Sequence, residues 1–242
     1  MAEEGGRADQ PGTLTEQLYN RLRRDIVLGD LKPGARLKLE ALSAEYKASV
    51  NTLRETLSRL ASDGLVIAEG QRGFTAPPVS MEDLRDVTEM RALLECHALT
   101  ESIANADLEW EAGVVAAYHK LSRIEAVVQD DPERYGADWE RYNQEFHAAL
   151  IARCGSRWLK MFHTAMYDHS QRYRMLSLTV KPSPRAQSAL EHKMLHDAAL
   201  ARDAEGAVAA LRQHILKAGA AAGAETAALA GKLKKPSGRK AP

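Results

Sequence analysis

Apolar residues in the first quarter of the chain recur at helical spacing. Leucine or isoleucine stands at every fourth position from residue 14 to residue 26, which predicts a first helix ending near Gly29. Residues 39–60 read as two short helices joined by a tight turn. The second helix keeps leucines on one face and polar side chains on another: Leu53, Leu57 and Leu60 against Asn51, Arg54 and Ser58. This pattern predicts a helix-turn-helix, in which one face packs and the other reads a DNA groove.

Two short apolar runs after the helix-turn-helix predict a β-hairpin. Residues 65–68 and 74–76 flank a glycine-rich tip at residues 70–73. Three helices and a hairpin make a winged helix, and a Pro-Pro pair directly after it stiffens the exit. We therefore expect a winged helix-turn-helix domain over residues 13–78.

From Ser80 onward the sequence is helical and contains no credible strand. Proline, glycine and aspartate divide this part into six or seven predicted helices, with rough spans 81–105, 109–129, 133–154, 156–178, 184–203 and 204–224. These spans predict an all-helical domain over residues 79–225, so the predicted fold class is mostly α. Both chain ends are expected to be disordered: residues 1–12, which are Gly-rich and charged, and the basic tail 226–242 with Lys232, Lys234, Lys235, Arg239 and Lys240.

The composition indicates that any contact with nucleic acid is made by a local basic patch, since the chain as a whole carries no net positive charge. Thirty-three basic residues cancel thirty-three acidic ones, so no overall charge attracts DNA. Cys96 and Cys154 lie far apart, which excludes a disulfide framework and suits a reducing compartment. The N-terminus lacks the apolar segment of a signal peptide, and no later stretch has the apolar length of a membrane span. We expect a cytoplasmic protein without a membrane partner.

Three motifs in the first domain resemble the GntR family of regulators: Leu31–Gly34, Leu53–Leu60 and Asp63–Val66. The resemblance implies that the helix beginning near Ser49 enters the major groove of double-stranded operator DNA, and that the hairpin tip reaches the minor groove. Carried over by position, the DNA-contacting residues are Arg36, Lys38, Ser49, Asn51, Thr52, Arg54, Gln71, Arg72 and Gly73.

Several of these DNA contacts have a plainer alternative. Arg54 can form a surface ion pair with Glu55, although the motif around it favours a forked contact with guanine. For Arg36 and Lys38, the sequence supports two alternatives equally: the side chains contact DNA phosphates, or they are simply exposed to solvent. Val50 departs from the family pattern, which commonly has an arginine there, so a base contact is missing or is replaced by contact with a thymine methyl group.

Three histidines on predicted helices of the second domain are candidate metal ligands: His147, His192 and His214. Asn143 lies one helical turn before His147 and shares its face, so its side-chain oxygen can join them around a divalent cation. The spacing alone leaves their convergence open, and histidines scattered by chance are the alternative.

Further motifs resemble the all-helical (FCD) domain of the FadR-type GntR subgroup: Phe146-His147, Cys154–Ser156, Glu191-His192 and Leu211–His214. In many members an aspartate and three histidines at these positions hold zinc, nickel or manganese, and a carboxylate effector or water takes the open positions. Because Asn143 replaces that aspartate, weaker metal binding is expected here. Subgroup members without a metal are the alternative.

Two further residues are candidate effector ligands. Arg91 can clamp a carboxylate, or pair with Glu95 one turn later on the helix surface. Arg172 and Arg174 alternate across a helix and are not expected to face one pocket together, so Tyr173 or one of the arginines lines it. The remaining candidate histidines are read as ordinary surface or core residues: His119, His163, His169 and His196.

Together these observations predict a homodimeric transcriptional regulator rather than an enzyme. We expect a repressor that a small carboxylate releases from a palindromic operator. Similarity within the subgroup to regulators of glutarate and related dicarboxylate catabolism implies a dicarboxylate effector. Two alternatives stay open: a DNA-binding dimer without an effector, and a metal-dependent hydrolase. The hydrolase lacks a general base beside the ligands, since Glu145 lies on a different helix face from His147.

Overall fold

The computed structural model describes residues 13–176 and 185–234. The chain divides into two compact units, residues 1–78 and 79–242. The predicted disordered segment at residues 1–12 lies outside the described residues.

The first unit contains three helices: α1 (Leu14–Leu28), α2 (Leu39–Tyr46) and α3 (Val50–Ser62). The hydroxyl of Thr13 caps the start of α1, and Gly29 ends that helix in the left-handed conformation, with φ 87°. The hydroxyl of Ser49 accepts a hydrogen bond from the backbone N–H of Thr52 and caps α3. The predicted helix-turn-helix is therefore present, and a side-chain cap sets the start of its second helix.

Three short antiparallel strands complete this unit: β1 (Arg36–Leu37), β2 (Ile67–Ala68) and β3 (Phe74–Thr75), in the order β1-β3-β2. In the register, Thr75 lies opposite both Arg36 and Ile67. The sequence predicted only the two strands of the hairpin. β1 was missed because a strand of two residues directly after a Pro-Gly turn is too short to show an alternating pattern.

The core of the first unit is a cluster of leucines closed by Phe74 from the wing. Leu22, Leu53, Leu57 and Leu60 have no exposed surface. The buried carboxylate of Asp25 accepts a hydrogen bond of 2.7 Å from the Tyr46 hydroxyl, which ties α2 to α1. The recognition helix α3 is thus fixed against the rest of the unit by its leucine face.

The second unit contains six helices among the described residues: α4 (Met81–Ala104), α5 (Leu108–Glu125), α6 (Pro132–Leu150), α7 (Arg157–Leu176), α8 (Arg185–Leu200) and α9 (Ala204–Lys234). The predicted mostly α fold class is confirmed. Two residues that we read as breaks are helix caps, since the carboxylates of Asp107 and Asp131 accept hydrogen bonds from the backbone N–H groups of Trp110 and Arg134.

The end of α9 corrects the sequence prediction. The helix was expected to stop at residue 224 and to give way to a disordered tail from 226, but it continues to Lys234. Residues 224–234 are rich in alanine and leucine, and these strong helix formers sustain the helix past Gly231. The rest of the predicted tail, residues 235–242, lies outside the described residues.

Helix α4 packs against α7 and α9 in the second unit. Its contact with α9 is close because Gly219 faces Thr88, and a Cβ atom at residue 219 would lie 2.7 Å from the Thr88 side chain. Within the described part of the chain, none of these helices combines the length and the apolar character that crossing a membrane requires.

Candidate metal centre and DNA-binding face

The core-facing stripe of α4 carries charged residues among its apolar ones. Leu84, Leu99 and Ile103 lie on this stripe at the spacing of helical turns, together with Arg91 and Glu95. Arg91 is only 2 % exposed and Glu95 is fully buried. Because buried charges are costly, a charged pair at core positions makes this side of α4 a candidate functional site.

Three histidines from three different helices meet beside this pair. His147 on α6, His192 on α8 and His214 on α9 are all buried. Each offers a ring nitrogen, and these nitrogens lie within 4.8 Å of one another. The Nε2 atoms of His192 and His214 are 3.2 Å apart. The structure thus brings together the three histidines that the sequence selected.

Each of these three rings is held by a glutamate at its other nitrogen. The Nδ1 atom lies 2.6 Å from Glu125 in His192 and 3.0 Å from Glu191 in His214, and that of His147 contacts Glu95. An ionised carboxylate only accepts hydrogen bonds, so each Nδ1 is the donor, and in the neutral imidazole Nε2 then keeps its lone pair. This pairing of carboxylate and histidine is the arrangement that surrounds metal sites.

Asn143, one helical turn before His147 on α6, adds a fourth buried polar side chain. Its amide nitrogen donates a 2.8 Å hydrogen bond to the Tyr167 hydroxyl, which fixes the orientation of the side chain. Its Oδ1 atom is buried without a hydrogen-bond partner, and the same holds for Nε2 of His147. Two buried acceptor atoms without partners beside converging imidazoles fit a divalent cation, which would satisfy both.

Protonation of the histidines is opposed by burial. Burial, with the neighbouring Arg91 adding to it, holds the pKa of His147 well below its usual value despite the contact with Glu95. Burial and the neighbouring His192 lower the pKa of His214 to about 4. Burial would raise the pKa of Glu191, but hydrogen bonds from His214 and Lys217 lower it to about 2. His147 and His214 are therefore neutral near pH 7, the form in which imidazole binds metals.

Arg91 and Glu95 do pair, but inside the protein and not on the helix surface. The Nε atom of Arg91 lies 3.0 Å from Glu95, and the Nε2 atom of His163 lies 3.1 Å from the same carboxylate. His163, which we expected to be an ordinary surface or core residue, thus belongs to this cluster. A guanidinium nitrogen of Arg91 is also 3.3 Å from Nδ1 of His147, which places a cation directly beside the metal-ligand candidates.

A small cavity adjoins Arg91 between α4, α7 and α9, with room for about one water molecule. Arg91, Tyr173 and Arg174 all line it, so the structure places both predicted effector ligands on one cavity. The Tyr173 hydroxyl contacts the Asp83 carboxylate, and Arg172 lies 2.5 Å from the same carboxylate. Arg172 and Arg174 are both buried, and of the two only Arg174 lines the cavity.

Sequence reasoning missed much of this site: Glu95, Glu125 and Glu191 as histidine partners, and the roles of His163 and Tyr167. Arg91 and Arg174 stack on the ring of Tyr167 with guanidinium carbons 4.5 and 4.4 Å from its centroid. Arg174 is also paired with Glu140. The one available signal was position, because Glu95 lies on the apolar stripe of α4.

Five of the nine predicted DNA-contacting residues of the first unit line a groove between α3 and the wing. Arg36, Lys38, Arg54 and Arg72 line this groove and are exposed, and Gly73 lies at its edge. Asn51 is also exposed on α3. Among the described residues Arg54 forms no ion pair, so the predicted alternative of a salt bridge with Glu55 does not occur there.

Three of the predicted DNA contacts have structural roles in the protein itself. The Arg36 guanidinium donates a 2.5 Å hydrogen bond to the carbonyl of Arg72 and so braces the wing. The hydroxyls of Ser49 and Thr52 lie 2.8 Å apart at the start of α3, where Ser49 is the cap. The side chain of Gln71 lies outside the described part of the structure.

Comparison with protein families decides between regulator and enzyme. Residues 14–75 match the bacterial regulatory proteins of the gntR family, and residues 86–217 match the FCD domain. The chain belongs to the GntR family. A GntR regulator is a DNA-binding transcriptional regulator, and the hydrolase alternative is thereby set aside.

Individual relatives agree with this assignment. The chain is 43 % identical over 203 residues to the uncharacterised HTH-type transcriptional regulator BphR of Paraburkholderia xenovorans (strain LB400), covering 84 % of this chain and 82 % of that one. It is 35 % identical over 201 residues to the HTH-type transcriptional repressor GlaR of Escherichia coli (strain K12), covering 82 % and 90 %. The solved structure of E. coli McbR/YncC superposes with a TM-score of 0.71 at 24 % identity, covering 86 % of this chain and 95 % of that one, which supports the fold.

Proposed function

We propose that this GntR regulator is a repressor that a small carboxylate, bound at a divalent metal ion in the FCD domain, releases from a palindromic operator. The metal would be held by His147, His192 and His214, with Asn143 as an oxygen ligand. The observation that supports this most directly is the convergence of three inward-facing Nε2 atoms. The repressor sign is supported by the similarity to GlaR, which is a repressor.

The spacing of the nitrogens suits a metal. Two imidazole ligands of a tetrahedral zinc ion, each about 2.05 Å from it, lie about 3.3 Å apart. The Nε2 atoms of His192 and His214 are 3.2 Å apart. Zinc, nickel and manganese are all candidates, because imidazole and amide oxygen bind each of them. When bound, the metal would supply an open coordination position for an anionic ligand.

The surroundings of that position favour a carboxylate. Arg91 lies beside His147 and also lines the adjoining cavity with Tyr173. An effector carboxylate on the metal would therefore meet a second positive charge nearby. Because Asn143 is neutral, it does not offset the positive charge of the metal, and this whole charge can attract the effector carboxylate. A short dicarboxylate such as glutarate is the first compound to test.

Dimerisation is proposed from the exposed apolar side chains of α4 and α7, two helices that pack against each other. The large apolar residues exposed on these helices include Met90, Leu93, Trp158, Met161 and Phe162. A second copy of the chain would cover them. Such a dimer has two-fold symmetry, which the operator would share as an inverted repeat.

Elemental analysis of the purified full-length chain tests the metal. We expect about one divalent ion per wild-type chain and a large loss of metal in His192→Ala, which removes one ligand of a site with few. His119→Ala is the matched control, because His119 is exposed on α5. Equal metal content in wild type and His192→Ala would contradict the site.

A second measurement tests whether binding of an acid at the metal changes the affinity of the protein for DNA. A duplex selected from a random pool by rounds of binding serves as the operator, and anisotropy of the labelled duplex reports its release. We expect glutarate or a related acid to release the metal-loaded protein and to lose this effect after chelation. If none of the acids tested releases the duplex, the alternative is favoured, namely a DNA-binding dimer without an effector.

A further inference from the structure

Four glutamates are buried around the histidine cluster, and their partners differ. Glu95 pairs with Arg91, Glu140 with Arg174 and Glu191 with Lys217. Among the described residues Glu125 pairs only with the Nδ1 atom of His192, at 2.6 Å. Three of the four carboxylates thus have a lysine or arginine beside them, and Glu125 does not.

A buried carboxylate without a counter-charge is costly. Glu125 is 6 % exposed, so water compensates little of its charge. Its only partner is an imidazole whose other nitrogen faces His214 and the centre of the cluster. A counter-charge can act on Glu125 only through the His192 ring, either as a proton on the ring or as a metal ion at its other nitrogen, and the convergence of one nitrogen from each of three histidines favours the metal ion.

The location of Glu125 is also unusual for a carboxylate, since it lies on the buried stripe of its helix. Trp110, Val114, Ala117 and Leu121 form the buried stripe of α5, and Glu125 continues it at the next turn, as the last residue of the helix. An apolar residue would fit this stripe equally well. The carboxylate instead reaches across to α8, the helix that carries His192.

From this we propose that Glu125 is a positioning residue for the metal: it holds the His192 ring with Nε2 inward and supplies negative charge that the neutral ligands lack. Three imidazoles and the Asn143 amide carry no charge, so the nearest balancing charges are the carboxylates behind the rings. Of these carboxylates, Glu125 alone pairs with no lysine or arginine among the described residues, so its negative charge is available to balance the metal. The inference rests on the proposed metal site and adds to it a residue outside the ligand set.

The substitution Glu125→Gln separates charge from hydrogen bonding. The glutamine oxygen still accepts from Nδ1–H of His192, so the ring orientation is kept while the charge is lost. We expect the zinc affinity of the full chain to fall about 10- to 100-fold, the usual effect of losing such a partner, measured by competition with a chromophoric chelator. Glu125→Asp keeps the charge and should bind zinc more tightly than Glu125→Gln does. Glu145→Gln is the control, because Glu145 pairs with Lys120 at the surface.

Thermal unfolding with and without zinc distinguishes positioning from general stabilisation. In Glu125→Gln we expect the melting temperature of the metal-free chain to stay within about 2 °C of wild type, while the rise on adding zinc shrinks. An equal fall with and without zinc, at unchanged zinc affinity, would show that Glu125 only joins α5 to α8. If the wild-type chain itself binds no zinc, nickel or manganese, the proposed metal site fails and this inference fails with it.

Discussion

At the scale of single residues, Arg54 is the side chain best placed to read a base. It lies on the exposed face of α3, and its neighbour Leu53 is fully buried, which fixes the helix beneath it. The structure describes no side-chain partner that would hold the guanidinium against the protein. An arginine free to fork onto guanine is the commonest specific contact in protein–DNA recognition.

The substitution Arg54→Ala should weaken operator binding by about 1–3 kcal/mol and relax the preference at one base pair. The reason is the loss of two hydrogen bonds to a base edge. Binding isotherms on the selected operator and on single-base variants, at fixed salt, measure both effects. Arg141→Ala is the control, because Arg141 is an exposed arginine of α6 that pairs with Asp138. A uniform weakening on every sequence would instead assign Arg54 to a phosphate.

The sequence located the three histidines but not the glutamates behind them. Family resemblance pointed to His147, His192 and His214 because their motifs are local. The partners of their rings come from other helices, with Glu125 lying 67 positions before His192. Such pairings depend on how helices pack, which no local pattern encodes.

At the scale of helices, the contact between α4 and α9 depends on a residue without a side chain. A Cβ atom at Gly219 would lie 2.7 Å from Thr88. Thr88 cannot easily yield, because it is β-branched, buried and hydrogen-bonded through its hydroxyl to the carbonyl of Leu84 at 2.6 Å. The two helices would have to separate.

We therefore expect Gly219→Ala to destabilise the protein by about 1–3 kcal/mol despite the better helix propensity of alanine. Gly113→Ala is a matched control in α5, since a Cβ atom there meets nothing within 4 Å. The control should gain about 0.5–1 kcal/mol. Urea unfolding of both variants measures the difference, and a stabilised Gly219→Ala would refute the close contact.

The sequence predicted the positions of the helices in the second unit more accurately than it predicted where they end. Apolar periodicity and the breaks at aspartate, glycine and proline predicted α4 to α8, because both signals are local. The length of α9 did not follow, since Gly231 and the basic residues after it resemble a flexible tail. Strand β1 was also missed, because its residues pair with residues of β3 that lie 37 and 39 positions later in the sequence.

At the scale of the whole molecule, the apolar side chains on α4 and α7 are proposed to join two copies. Trp158 and Phe162 stack with ring centroids 6.4 Å apart, and both are more than half exposed. Aromatic residues are enriched where protein surfaces associate. The family assignment establishes a DNA-binding regulator. Two DNA-binding domains in one dimer would bind an inverted repeat more tightly than a single domain would.

The substitution Phe162→Glu should convert the dimer into a monomer, because it places a charge in the proposed apolar interface. Sedimentation equilibrium measures the mass, and operator binding should weaken at least tenfold when the heads act singly. Leu190→Glu is the control, since Leu190 is 59 % exposed on α8 and outside this surface. A Phe162→Glu variant that stays dimeric would place the interface elsewhere.

The exposure of Trp158 also gives the protein an optical probe of its own. Trp110 and Trp139 are buried at 3 % and 6 % exposure, whereas Trp158 is 54 % exposed. Indole emits at longer wavelength in water than in an apolar environment, so the red edge of the emission spectrum belongs to Trp158. Burial of this indole by a second copy would shift that edge to the blue, and dilution would reverse the shift, so subunit exchange is observable without any label.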